Sequence, residues 1–494
     1  MRTLTVPRLA VVGTGYVGTV VAACFARLGY EVVGIENDPA KLALLQAGRI
    51  PFHEPGLEDL VNAGLHSGLL RFTADYRDGV THSCAVFVCV GTPSLPNGSA
   101  DVSALTDATK SVSAAIRHPL VVVTKSTIPV GGSRLVRGIL DSALSQGNGE
   151  KAPVALVHNP EFMREGSAIA DFLHPDRVVL GSDDPHALSL VTKLYRPILQ
   201  QSFEGADPAR RPGLMCTDPT TAETVKYASN AFLATKISFI NELARICDIV
   251  GADVTGVATG MGLDRRISGE FLSAGLGWGG SCFGKDLTAI IATARQHGYE
   301  PVLLTATAQV NAQQQEVVLH KLAAYFTSLA DRRIGLLGLS FKPGTDDLRD
   351  SPALGLAQRL VTLGAEVIAY DPLVSRVPHI AGLAVADSPY ETADGADAVV
   401  LATDWPDFLL LDLAELRARM RDNVFIDGRN VFDQRVMEAA GLRYEAVGRS
   451  KANGARPTVL VNPADRRASN PRPVRSPHRW PGRHVLRAQR RDAP

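Results

Sequence analysis

A strand, a glycine-rich turn and a helix follow one another twice in this chain, and no other feature constrains its fold as much. Leu9-Ala10-Val11-Val12 is a short apolar run ending in Gly13-Thr14-Gly15-Tyr16-Val17-Gly18. A helical stretch continues to Leu28, closed by Gly29, and Glu31–Ile35 reads as a second strand ending at Glu36. Apolar runs at Ala85–Val90, Leu120–Thr124 and Val154–Val157 alternate with helical patterns. That alternation predicts a parallel sheet with helices on both faces over residues 1–210. The second occurrence starts at Arg333-Ile334-Gly335-Leu336-Leu337-Gly338 and continues through Val367–Tyr370, Ala398–Ala402 and Val424–Ile426, which predicts another such domain over 330–449. Between them, Thr220 to Val250 is helical in pattern with no internal Gly or Pro. At about 30 residues it exceeds the usual globular helix, and it predicts a connector carrying much of a subunit interface. It lies in a central region, 211–329, whose helical patterns resume from Asp286 to Leu329. The fold class expected is α/β, with two Rossmann-like doubly wound domains joined by a long central helix.

Only the first turn has the full GxGxxG spacing. Gly13 permits the tight turn, Gly15 lets backbone approach a pyrophosphate, and Gly18 lets the helix pack on the strand, with the helix N-terminus facing the phosphates. Glu36 ends the next strand, where a carboxylate accepts hydrogen bonds from both ribose hydroxyls and repels a 2′-phosphate. The turn therefore predicts a dinucleotide site preferring NAD to NADP.

Composition narrows the class. The 494 residues are 45% hydrophobic and 21% charged, as expected of a globular protein of several domains. The net charge of zero hides an asymmetry. Residues 450–494 hold eleven Lys/Arg against two Asp, so the remainder is mildly acidic. With seven prolines, that segment reads as a disordered basic arm whose partner the sequence does not name. The six cysteines show neither CxxC pairs nor metal spacing with His, which points to a reducing cytoplasm and no metal. No cleavable leader and no apolar run of membrane-spanning length is apparent.

Cys282 stands in Gly279-Gly280-Ser281-Cys282-Phe283-Gly284-Lys285-Asp286, midway between the two glycine turns. A thiol among glycines can be approached closely, and beside a nicotinamide it can hold an aldehyde for a second oxidation. Glu161, in Asn159-Pro160-Glu161-Phe162-Met163-Arg164-Glu165-Gly166, follows a strand end, where ligands of open α/β sheets bind. It suits a general base or a group that helps position water. Lys226 and Asn230 are four apart on the long helix and share a face, where they could stabilise an oxyanion. Phe341-Lys342-Pro343-Gly344-Thr345-Asp346-Asp347-Leu348-Arg349 and Asp427-Gly428-Arg429-Asn430 place cations on loops suited to a diphosphate.

In this order the motifs resemble the UDP-glucose/GDP-mannose dehydrogenase family over about residues 8–447. Asn159–Gly166, Ser167-Ala168-Ile169, Phe172 through Pro175-Asp176-Arg177 and Tyr227–Lys236 look like its UDP-glucose branch. The resemblance implies that Gly13, Gly15, Tyr16, Val17, Gly18, Glu36, Lys41, Thr92, Thr127, Glu165 and Arg349 contact NAD. It implies that Phe162, Lys226, Asn230, Phe271, Leu272, Ser273, Ala274, Gly275, Gly279, Phe341, Lys342 and Arg429 hold the sugar nucleotide. Arg266 looks like the residue that reaches the substrate of a partner subunit in a homodimer or higher homo-oligomer. Cys282 would be the nucleophile. Asp286, with Lys226 and a water, would take the hydroxyl proton, and Glu161 would assist hydrolysis. The implied reaction is an NAD-dependent four-electron oxidation of UDP-glucose at C6. The same chemistry on GDP-mannose or a UDP-N-acetylhexosamine, and a non-catalytic sugar-nucleotide sensor, stay open at this stage. Gly284 and Trp278 depart from the Pro and the Phe or Tyr usual beside the nucleophile, and Glu36 from the commoner Asp.

Overall fold

The computed structural model describes residues 7–145, 152–377 and 380–449; the basic arm expected at 450–494 lies outside the described residues. The first sheet has eight strands: β1 (Arg8–Val12), β2 (Glu31–Ile35), β3 (Leu70–Thr73), β4 (Ala85–Val88), β5 (Leu120–Thr124), β6 (Val154–His158), β7 (Arg177–Gly181) and β8 (Gly213–Thr217), in the order 3-2-1-4-5-6-7-8. Every pairing is parallel except β6 with β7, which meet antiparallel at His158 and Gly181. β4 and β5 are buried along their whole length, as strands covered by helices on both faces must be. The strand order reverses between β1 and β4, so a crevice opens at their carboxyl ends.

β8 carries this sheet to Thr217, beyond the boundary at 210 drawn from the sequence. The preceding Asp207-Pro208-Ala209-Arg210-Arg211-Pro212 has a linker's composition. β8 itself is an exposed edge, so no alternation of buried and open positions marks it.

The long helix runs from Pro219 to Val250. Asp218 caps it by accepting from Thr221 N, Pro219 occupies the first turn, and Gly251 ends it at φ 79°. Helices Gly280–Gln296 and Val302–Ala312 pack along it. The last region holds six parallel strands: β9 (Arg333–Leu337), β10 (Glu366–Tyr370), β11 (Leu383–Val385), β12 (Ala398–Leu401), β13 (Val424–Asp427) and β14 (Arg443–Ala446), ordered 11-10-9-12-13-14. Its carboxyl edge faces that of the first sheet across a cleft. There a Cβ on Gly166 would lie 2.6 Å from the Gly344 carbonyl oxygen, so the two loops meet backbone to backbone.

Phe25 centres the first core. Its ring lies 5.1 to 5.7 Å from those of Phe87, Phe172, Tyr195 and Tyr30. Phe87, Phe172 and Tyr195 come from strand, helix and loop segments far from Phe25 in sequence, so one side chain ties the helical layer to the sheet. Phe25→Ala is expected to destabilise this domain by about 3–5 kcal/mol. A thermal melt in which the first transition fails to move would show that the ring cluster is dispensable.

Candidate active site

Gly15 opens the helix Tyr16–Arg27, and Val17 follows in its first turn. A Cβ on Gly18 would fall 1.9 Å from the Gly13 carbonyl oxygen, which makes glycine obligatory there. A Cβ on Gly15 would meet nothing within 4 Å, so the space over the helix N-terminus is open where a pyrophosphate needs it. Glu36 sits at the end of β2, buried. Its Oε2 accepts from Thr14 Oγ1 and from Lys41 Nζ, each at 2.7 Å, and its Oε1 from the Asp38 amide at 3.1 Å. Burial opposes its charge, but Lys41, Asp38 and Thr14 together hold the carboxyl below its usual range. Lys41 thus acts first on Glu36. Thr92 Oγ1 donates to the Thr127 carbonyl at 2.7 Å and joins the loops after β4 and β5. These residues fit a bound NAD.

Tyr16 is placed by a residue that the sequence did not single out. Its hydroxyl donates to Glu54, a buried carboxylate that also accepts from the Gly166 amide at 2.6 Å and the Ala168 amide at 2.8 Å. Glu54 therefore links the dinucleotide turn to the loop after β6. Glu223 is equally hidden from motif reading. On the long helix one turn before Lys226, it accepts from the Gly131 and Ser133 amides and fixes the loop that follows Thr127.

Three elements converge on the thiol. Cys282 lies in the first turn of Gly280–Gln296, and Asp286 is one turn on, so they share a face. Lys226 and Asn230 share a face of the long helix, but each engages a different neighbour. Lys226 Nζ donates to Glu161 Oε1 at 2.9 Å, and Asn230 Nδ2 to Asp286 Oδ2 at 2.6 Å. Lys226, Glu161 and Asp286 are 3%, 6% and 0% exposed. Burial disfavours both charges of the Lys226–Glu161 pair. Their mutual attraction outweighs it, holding Glu161 below and Lys226 above their ordinary values. Glu161 Oε2 takes the Met163 amide at 2.8 Å, and Asp286 Oδ1 takes Lys285 Nζ at 2.6 Å. Burial pushes the Cys282 thiol up, and the Lys226 charge pulls against it. Phe162 lies beneath, with the Arg177 guanidinium 3.9 Å and Lys226 Nζ 5.5 Å from its ring centre.

The opposite wall comes from the last region. A Cβ on Gly279 would strike the Asp350 carbonyl at 2.1 Å, and one on Gly280, at φ 82°, would strike the Phe341 ring. The two glycines let the loop before Cys282 lie directly on the loop after β9. Glu165 crosses the cleft. It accepts from Arg349 Nη2 at 3.2 Å and Ser281 Oγ at 3.1 Å, while Lys342 Nζ donates to its carbonyl. Burial and the Asp347 carboxylate push Glu165 up to about 7, while against burial the Arg349 guanidinium and amide hold Asp347 below its usual range.

The Phe271–Gly275 loop is clamped through its backbone by side chains that spacing did not reveal. Asn241 accepts the Gly275 amide at 2.8 Å, Gln314 donates to the Gly275 carbonyl at 2.8 Å, and Asn430 donates to the Ala274 carbonyl at 3.3 Å. Leu272 and Ala274 face inward, Ser273 outward, and Phe271 adopts φ 63°. Arg429 is held by the Ala402 carbonyl at 2.7 Å, and its buried Nη2 has no partner among the described residues. Arg266 is not in this cluster. Its side chain is 88% exposed and paired with Asp264 at 2.6 Å.

Residues 7–199 match the NAD binding domain of the UDP-glucose/GDP-mannose dehydrogenase family, 220–313 its central domain and 335–434 its UDP binding domain. The chain belongs to this family. A UDP-glucose 6-dehydrogenase of Pseudomonas aeruginosa is 41% identical over 454 residues, covering 90% of this chain and 98% of that one. One of Rhizobium meliloti is 42% identical over 449 residues, covering 90% and 99%. Among solved structures, a UDP-glucose dehydrogenase of the archaeon Pyrobaculum islandicum superposes with TM-score 0.82 at 36% identity, over 91% of this chain and 99% of that one. The family's NAD-binding, central and UDP-binding domains thus correspond to the first sheet, the helical connector and the second sheet.

The electrostatics of the thiol can be tested directly. Lys226→Met removes the charge that favours the thiolate, so the Cys282 pKa rises further. Alkylation of Cys282 by iodoacetamide is then expected to move about one unit or more toward alkaline pH. An unchanged pH dependence would mean that Lys226 does not act on the sulfur.

Proposed function

We propose that the chain catalyses the NAD-dependent four-electron oxidation of UDP-glucose at C6 to UDP-glucuronate, with Cys282 carrying the intermediates. The observation behind this is that the buried Lys226–Glu161 and Asn230–Asp286 pairs gather about Cys282, whose thiol feels the charges of Lys226, Glu161 and Asp286. The relatives that share about four-tenths of its residues over nearly their whole length bear the name of that activity.

When bound, NAD⁺ accepts the hydride leaving C6 in each of the two oxidations. Asp286, oriented by Asn230 and Lys285, takes the C6 hydroxyl proton through a water, and Lys226 stabilises the developing oxyanion. The Cys282 sulfur adds to the aldehyde carbon and the thiol proton passes to the carbonyl oxygen, so the C=O π bond gives way to a C–S bond and a thiohemiacetal hydroxyl. Loss of its hydride and its hydroxyl proton leaves a thioester. Glu161 then takes a proton from the attacking water, the C–S bond breaks, the thiolate leaves and the acid is released. Lys342, Arg429, Phe341 and the Phe271–Gly275 loop hold the UDP-sugar. Arg429 Nη2, buried without a partner among the described residues, is suited to an anionic group of that ligand.

A homodimer or higher homo-oligomer belongs to the proposal. On the long helix Phe232, Phe239 and Ile246 recur every seven residues and are exposed, and Ile249 is 83% exposed. An apolar stripe of that kind needs a partner, and Arg266, exposed beside Asp264, is open to a neighbour's site. Among the described residues no helix is long and apolar enough to cross a membrane, and the cysteines are unpaired, which fits a reducing cytoplasm.

Two outcomes follow. Purified protein should yield two NADH per UDP-glucose with no free aldehyde, and Cys282→Ser should stop turnover at or before the second oxidation. One NADH with aldehyde released would sink the thioester route. Phe239→Glu should dissociate the oligomer in size-exclusion chromatography with light scattering. An unchanged mass would move the interface elsewhere.

A further inference from the structure

Lys125 follows β5 and is 5% exposed. Among the described residues no carboxylate oxygen lies within ion-pair distance, 4.0 Å, of its ammonium. Its partners are neutral: Nζ donates to Asn159 Oδ1 at 3.1 Å and to Tyr195 Oη at 3.4 Å, and it lies 5.9 Å from the centre of the Tyr195 ring. Burying an ammonium without a contacting counter-ion is costly, and groups held at such cost cluster at functional sites. The surrounding network is closed. Tyr195 Oη also donates to Asn159 Oδ1 at 2.7 Å, and Asn159 Nδ2 to the Val179 carbonyl at 2.9 Å. Asn159 opens the turn that presents Glu161 two residues later.

The nearby charges explain the arrangement. Lys125 is faced by Cys89 after β4, His158 on β6, Tyr195, Glu161 and Lys226. Glu161 is faced by Lys226, Lys125 and the Cys89 and Cys282 thiols. Lys226, which touches Glu161, also serves the C6 oxygen in the mechanism above. Whenever it turns to the substrate, a fully buried carboxylate would be left without a cation. Lys125 is anchored and cannot follow. Burial brings its ammonium down to about 8, with Lys226 adding to that fall, so it is charged at neutral pH.

We propose that Lys125 is the standing counter-charge of Glu161: a positioning residue that, through Asn159 and through space, keeps this carboxylate charged and correctly turned for hydrolysis while Lys226 serves the substrate. The inference rests on the thioester mechanism. Its sign is fixed. Removing a cation disfavours the carboxylate, raises the Glu161 pKa and moves the acid limb of the hydrolytic step to higher pH.

The test uses the full chain with UDP-glucose and NAD⁺, comparing Lys125→Met and Lys125→Arg with the unmodified protein. Rapid mixing reads the NADH burst, steady-state rates give the pH profile, and mass spectrometry of quenched protein reads the sugar adduct on Cys282. For Lys125→Met the acid limb of the steady-state rate should rise by about one unit or more, the rate on that limb should fall about tenfold, and the adduct should accumulate. The burst should stay within about threefold, and Lys125→Arg should keep the original limb. A limb unmoved in Lys125→Met overturns the proposal, as does a burst that falls in step with turnover. If Lys125→Met does not fold, Lys125→Arg decides: a limb displaced with the charge intact overturns the proposal, and an unmoved limb with at most a modest loss of rate supports it. An unmodified protein that yields no two-NADH burst and no adduct overturns the thioester mechanism and this proposal with it, whereas a normal burst with an unmoved limb overturns this proposal alone.

Discussion

The ion pair between Lys226 and Glu161 fixes where everything else in the site must lie. Both side chains are almost fully buried, and charges taken from water must be matched in place. Losing one partner of such a pair costs about 3–5 kcal/mol. An exposed pair such as Arg295–Glu300 is screened by water and decides nothing about geometry. The pair therefore holds the loop after β6 against the long helix. One turn along, Asn230 holds Asp286 and with it the helix that carries Cys282. A single face of one helix thus sets the positions of Glu161, Asp286 and, through the helix that bears it, Cys282.

Around that core the site is built by backbone clamping. Glu54 fastens Tyr16 and the Gly166 loop together, and Glu223 fastens the loop beyond Thr127 to the long helix. Asn241, Gln314 and Asn430 hold the Phe271–Gly275 loop by its amides and carbonyls. Groups satisfied in this way inside the protein have little freedom to reorient, so a sugar nucleotide would meet a preformed wall.

What could be read in the sequence was what has a local spacing. The glycine turn, Glu36 at a strand end, the Lys226–Asn230 interval and the thiol among glycines all follow from short-range geometry. Glu54, Glu223, Asn241, Gln314 and Lys125 act on residues 34 to 114 positions away, and no periodicity encodes that. Lys226 and Asn230 show both sides of the limit. Their interval placed them on one face, yet their partners, Glu161 and Asp286, are set by tertiary packing. β8 escaped for a different reason. It is an exposed edge without alternation, following a segment of two prolines and two arginines, so its pairing with β7 is visible only in three dimensions.

The two sheets divide the labour unequally. The dinucleotide turn, Glu161, Lys226, Asn230, Cys282 and Asp286 all belong to the first sheet and the central helices. The last region adds Phe341, Lys342, Arg349 and Arg429, which form a wall and touch none of the Lys226, Glu161 or Asp286 carboxylate and ammonium groups by hydrogen bond. Glu165 and Asp347 are the exception, a carboxylate pair that meets between the two sheets and in which burial and Asp347 push Glu165 up to about 7. Discrimination between nucleotides can therefore change through loops of the second sheet while the charged cluster stays as it is. That separation offers a physical reason why one family can include both UDP-glucose and GDP-mannose dehydrogenases: the loops of the second sheet can vary while the charged face of the central helix stays as it is.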